Sequence, residues 1–178
     1  MRRESNQRPD LSKLSEQQLD YIADFMKERI YATITLLAVI AILWEGAGHY
    51  TPGKAALSIL ATALALWLAS SISTQMSYKV AHGKIMPRRQ FISNEVKHAV
   101  LLLSAFFPLL LVGVSSLGFI SLKLALFVAM ITSIGSLFLW SIRAGRSMHS
   151  SFKVILVVGC LETLVGLGVV ALKIFAEQ

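Results

Sequence analysis

The sequence predicts an all-α protein: a polytopic membrane bundle of five transmembrane helices, with its N-terminus in the cytoplasm and its C-terminus outside. Three observations carry that expectation. Of 178 residues, 55% are hydrophobic and only 15% are charged, with a mean hydropathy of +0.65, far more apolar than the surface of a soluble domain of this length allows. Five stretches approach the ~20 predominantly apolar residues that cross a hydrocarbon core of about 30 Å at helical rise. The Lys and Arg residues, 17 in all, fall unevenly on alternate sides of those stretches.

In chain order, residues 1–27 read as a cytoplasmic amphipathic leader. The stretch "SEQQLDYIADFMKERIYATI" opens with a capping-box pattern, Ser15 to Gln18, then places Leu19, Ile22, Phe25, Met26 and Ile30 along one side of a helix. That helix lies along the membrane surface or runs straight into the first span. Residues 28–178 form the transmembrane domain, with spans at about 28–46, 55–76, 97–117, 119–142 and 152–175 on the ~20-residue template. The first apolar run sits behind about thirty polar residues, too many for the n-region of a signal peptide, so it reads as a retained span. The breaks "EGAGHYTPGK", "SYKVAHGKIMPRRQ", "SSLGF" and "RAGRSMHSS" each carry Gly, Pro or Ser where a helix should end. Pro87 suits the first turn of the third helix, whose missing N–H would be unpaired there anyway, and Pro108 should kink it.

Threading the spans puts 14 of the 17 basic residues on one side, leaving only Lys54, Lys123 and Lys173 on the other. The positive-inside rule makes the richer side cytoplasmic. The implied location is a multi-pass membrane protein, of the bacterial inner or plasma membrane. Implied partners are the lipid bilayer, anionic head groups at the basic cytoplasmic loops, and a second copy of the chain. The net charge of +7 comes with no basic helix, RNA-binding signature or interleaved aromatic patch, so it does not indicate nucleic acid. Cys160 is the single cysteine, and one chain builds neither a disulfide nor a thiolate metal site from it.

The residue that most needs explaining is Glu162, in the middle of "VVGCLETLVGLGVV". Near the bilayer midplane a charged side chain costs at least ~2.5–3.5 kcal/mol. Gly159 and Gly166, at i−3 and i+4, share its helical face and permit close helix approach, and Thr163 beside it can assist by hydrogen bonding. Glu162 is then either an ion- or proton-binding group on a transport path or a neutral carboxyl donating one interhelical bond. Span two carries Ala61, Ala65, Ala69, Ser73 and Ser77 at four-residue spacing, a stripe suited to packing within the chain or to a homo-oligomer seam. Ser70, Ser71, Ser73, Thr74 and Gln75 cluster at its inner end, where hydroxyls line a hydrated vestibule or bond backbone carbonyls. Glu28, Tyr31 and Thr35 make a polar line entering span one, with an ion pair to a basic loop residue as the plainer role for Glu28. Glu45 with His49 and Glu95 with His98 have ligand-like spacings, but each is one pair, and di-metal bundles need several. His82 and His149 fall in loops.

Two resemblances add to this. "ERIYATITLLA", "ALALWLASSIS" and "LVGLGVVALKIF" resemble small, uncharacterised bacterial integral membrane proteins, which implies a location and no activity. Five spans with the N-terminus inside, together with "SISTQ" at residues 71–75, are similar to the vacuolar iron transporter family of dimeric divalent-cation/proton exchangers. Of that family's acidic and methionine metal ligands, only Glu28, near the mouth of span one, has a counterpart here. No HExxH, nucleophile elbow or phosphate-binding glycine loop points to an enzyme, and no cofactor or metal site is implied. The expected function is an oligomeric cation or proton transporter or channel using the intramembrane carboxylate, with Glu162, Glu28 and Thr163 on the pathway. The alternative is a non-transporting structural or accessory subunit.

Overall fold

The computed structural model describes residues 16–147 and 152–176. They form five helices: α1, Glu16–Glu45; α2, Pro52–His82; α3, Arg88–Ser116; α4, Leu122–Ser147; and α5, Phe152–Ala176. No strand occurs among the described residues. Three segments are long and apolar enough to cross a membrane: Pro52–His82, Arg88–Ser116 and, within α4, Leu122–Trp140.

Helix α1 packs against all four others, while α2 with α3, α3 with α4, and α4 with α5 pair as neighbours in sequence. The last four helices therefore form an arc, and α1 fills its hollow. The sequence of α1 explains that place. Ala32, Leu36, Leu37, Ile40, Ala41 and Leu43 are buried, recurring at the spacings that keep side chains on adjoining faces of a helix. They meet Ala55, Ile59 and Ala63 of α2, Ala105 and Val112 of α3, and Leu126, Ala129 and Met130 of α4. Alanines on the surrounding helices admit the larger leucines and isoleucine of α1, the alternation of small and large that close packing requires.

Two cation–aromatic contacts fix the sense of α1 against α4. The Arg29 guanidinium carbon lies 4.1 Å from the centre of the Trp140 ring, and the Lys123 ammonium lies 5.2 Å from that of Trp44. The middle of α1 thus sits beside the later part of α4 and the end of α1 beside the start of α4, so the pair is antiparallel. Both separations lie within cation–π range.

Several helix bounds differ from those expected of the apolar runs alone. Helix α1 is continuous from Glu16, so residues 16–27 and the apolar run after them form one helix; Ser15 lies outside the described residues. Helix α2 continues past residue 76 because "SYKVAH" holds no breaker, and it ends only at Gly83. That residue takes φ 66° and donates its N–H to the Lys79 carbonyl at 2.8 Å, an αL cap. Helix α3 starts at Arg88 rather than residue 97, with Pro87 as its N-cap, and runs through Pro108 without a break. Helix α4 starts later than residue 119: Gly118 turns the chain at φ 82°, and Ser121 Oγ accepts the Leu124 N–H at 3.3 Å. It then continues beyond residue 142. A β-carbon at Gly83 meets no neighbour within 4 Å, so Gly83→Ala should cost only its backbone strain. About 1 kcal/mol is expected, read as a lowered midpoint in thermal unfolding in detergent.

The stripe of small residues on α2 does not pack within the chain. Ala61, Ala65, Ala69, Ser73 and Ser77 are all exposed, and the face of α2 turned to the bundle is the one carrying Ala55, Ile59 and Ala63. Gly159 and Gly166 of α5 are buried. A β-carbon at Gly166 would lie 3.4 Å from Leu37 Cδ2 and 3.5 Å from Leu137 Cδ1.

Candidate functional site

The middle of α1, the second half of α2 and the first half of α3 come together toward one end of the bundle, and each supplies polar side chains there. Glu28 of α1 pairs with His98 of α3, Oε2 to Nδ1 at 2.9 Å. Ser70 of α2 donates its hydroxyl to the other Glu28 oxygen at 2.8 Å and lies 3.0 Å from the same His98 nitrogen. On the far side of the ring, Thr74 Oγ1 is 3.1 Å from His98 Nε2. One turn away, Ser71 donates to Glu95 Oε2 at 2.8 Å, while Glu95 Oε1 is buried with no hydrogen-bond partner.

Hydrogen-bond chemistry fixes most of the protons. An ionised carboxylate only accepts, so the His98 nitrogen facing Glu28 carries a proton. Neutral imidazole then accepts at Nε2 from the Thr74 hydroxyl; imidazolium would donate to it. A hydroxyl serves either way by rotating, so Thr74 can partner either form of the His98 ring. Thr74 is held for this role. Thr33, Thr35, Thr62, Thr132 and Thr163 each return their hydroxyl to the carbonyl four residues earlier, whereas Thr74 reaches across to another helix.

The His98 side chain is 6% exposed and that of Glu28 is 30% exposed, while Ser70 and Thr74 are half-buried. Only two metal-ligating side chains meet at the pair, and among the described residues no three of His, Cys, Asp and Glu gather into a ligand group.

Of the polar line expected on α1, Glu28 turns inward, while Tyr31 is exposed and Thr35 bonds the Tyr31 carbonyl at 2.9 Å. Glu28 is paired, but with a histidine of α3 rather than a basic loop residue. The hydroxyls of Ser70, Ser71 and Thr74 go to side chains of α1 and α3 rather than to their own helix, while Ser73 and Gln75 are exposed. Glu95 and His98 face different partners on α2, Ser71 for the carboxylate and Ser70 and Thr74 for the ring. Glu45 and His49 are both exposed. His82 stacks on Tyr78 at 4.2 Å between ring centres, and His149 lies outside the described residues. Glu162 is on α5, but its side chain lies outside the described residues. Its neighbour Thr163 spends its hydroxyl on the Gly159 carbonyl at 2.8 Å, and Cys160 is exposed.

The sequence marks every member of this cluster separately and joins none of them. The available signal was position along the helices: with the first three helices running alternately up and down, Glu28, Ser70, Thr74 and His98 all fall at the same level. Among known proteins, no family model, no curated protein and no solved structure matches this chain.

Proposed function

We propose that the chain is a small multi-pass membrane protein that moves protons or a small cation across the bilayer, entering through the Glu28–His98 pair. The observation that carries this reading is a nearly buried imidazole whose two nitrogens face a carboxylate and a rotatable hydroxyl. The setting is the inner end of apolar helices, where ionisable groups are costly and mark pathways. Orientation follows from charge: the pair sits at the end flanked by most of the basic residues, the cytoplasmic one by the positive-inside rule. Five spans, an outward C-terminus and a bacterial inner or plasma membrane complete the reading.

In operation, a proton from cytoplasmic water reaches His98 Nε2 by way of Thr74, and the Nδ1 proton passes to the Glu28 carboxylate. Glu162, about 15 Å along α5 from its inner start at helical rise, is the carboxylate deeper in. A second copy is supported by the exposed small-residue stripe on α2, which lets another helix approach closely.

The test is flux in proteoliposomes at matched protein density, for the native chain, Glu28→Gln and Glu162→Gln. Loss of flux in both variants with assembly retained is the expected result. A second reading, a non-transporting accessory subunit, is favoured by one feature: every polar atom of His98 already has a protein partner, as in a clamp between helices. Native protein with no flux above empty liposomes would leave that reading standing and end the first.

A further inference from the structure

Beyond the Glu28–His98 pair, α2 and α3 project as a hairpin. From Thr74 to His82 and from Arg88 to Glu95 the two helices extend past the cluster, each by about 10–12 Å at helical rise. One side of this hairpin holds a cavity of about 300 Å³, lined by Ile72, Gln75, Met76 and Lys79 of α2 and by Ile85 and Met86 of the connecting loop. The α2 residues recur at intervals of three and four, so they form one stripe, on the opposite side of the helix from Thr74. Asn94 of α3 holds the loop wall in place by donating to the Met86 sulfur at 3.6 Å.

The cavity runs from an apolar end to a cationic one, with Gln75 and Met76 between them. Ile72 lies toward the membrane-crossing part of α2, and Met76 and Ile85 are 62% and 81% exposed, too much apolar surface to leave in water without a purpose. Lys79 lies at the far end, with Lys84, Arg88 and Arg89 following in the loop and the next turn, all exposed. No Asp or Glu occurs between residues 46 and 94, and among the described residues none of these cations is in an ion pair.

We propose that this cavity binds one anionic phospholipid of the cytoplasmic leaflet, its glycerol and first methylenes against Ile72, Met76, Ile85 and Met86 and its phosphate at Lys79 and Lys84. The volume suits part of a lipid rather than a whole soluble ligand. Apolar end toward the hydrocarbon and cationic end toward the head groups is the polarity a lipid of that leaflet presents, and each nearby Lys or Arg adds attraction to an anionic surface. The site stands independently of transport.

The experiment is native mass spectrometry of the full chain released from mild detergent, with phosphatidylglycerol or phosphatidylcholine of identical acyl chains added. Phosphatidylglycerol should be retained at least about tenfold better. Lys79→Gln with Lys84→Gln should abolish that preference, and Met76→Trp, which fills the apolar half, should lower retention of both lipids. Each substitution is at an exposed position, and an unchanged thermal midpoint verifies the fold; Lys79→Arg, retaining the charge, should behave as native. Equal retention of the two lipids by the native chain would overturn the proposal. So would an undiminished preference in the double variant, or displacement of the lipid by glycerol 3-phosphate, which would reveal a site for a soluble phosphate.

Discussion

Replacing His98 by leucine is expected to destabilise the bundle by about 2–3 kcal/mol, because Glu28 and Thr74 lose a shared partner in a site with little water. Glu28 is 30% exposed, so part of its charge is resolvated, which keeps the loss below that of breaking a fully buried pair. The measurement is reversible unfolding in mixed micelles, alongside Thr74→Val and the double substitution. Thr74→Val alone should cost about 1 kcal/mol. The double variant should lose less than the sum, since both changes remove the same bond. A leucine variant as stable as the native chain would mean that the cluster does not fasten α1, α2 and α3 together.

A second large effect is expected at Gly166. The β-carbon of alanine there would sit 3.4 Å from Leu37 and 3.5 Å from Leu137, ordinary van der Waals distances, so Gly166→Ala should be tolerated. Leucine has no such room: its further carbons would enter the space that the side chains of α1 and α4 already fill. Overpacking of this kind costs roughly 1–3 kcal/mol, or more where helices must part. Gly135 is the control, because its β-carbon would meet nothing within 4 Å, and Gly135→Leu should leave stability nearly unchanged. If both leucine variants unfold alike, the helix is failing for reasons unrelated to its contact with Leu37. The contrast matters because lipid tails are as apolar as leucine. Close fit rather than escape from water is then what holds such helices to one another.

How far this structure could be foreseen depends on which physical quantity is asked for. Helix existence was legible, since twenty apolar residues leave few alternatives. Helix ends were less so: hydropathy detects where the apolar stretch stops, whereas α2 continues through Lys79 to His82 and α3 begins at Arg88, helical but polar. The site was legible in depth and illegible in rotation. Glu28, Ser70 and His98 are separated by 42 and 28 residues in sequence, and no local periodicity states which side of α2 turns toward α1. The stripe of small residues on α2 illustrates the same gap. Its spacing promised close packing, but the face turned inward is that of Ala55, Ile59 and Ala63.

The two cation–aromatic contacts of α1 have a mechanical consequence for the surrounding membrane. Arg29 with Trp140 and Trp44 with Lys123 mark where the helix pair meets water at each end, because such residues settle at the head-group level. Along α1 those levels are about 22 Å apart at helical rise, against about 30 Å for a typical hydrocarbon core. A bilayer that meets both belts is compressed around this protein, and the compression stores elastic energy of fractions of a kcal/mol for every ångström. Lipids with short or disordered chains relieve that strain. On the five-span reading proposed above, the protein would act as a pinch in the sheet that holds it, sorting toward thin membrane and shortening the path that any charge at Glu28 has left to cross.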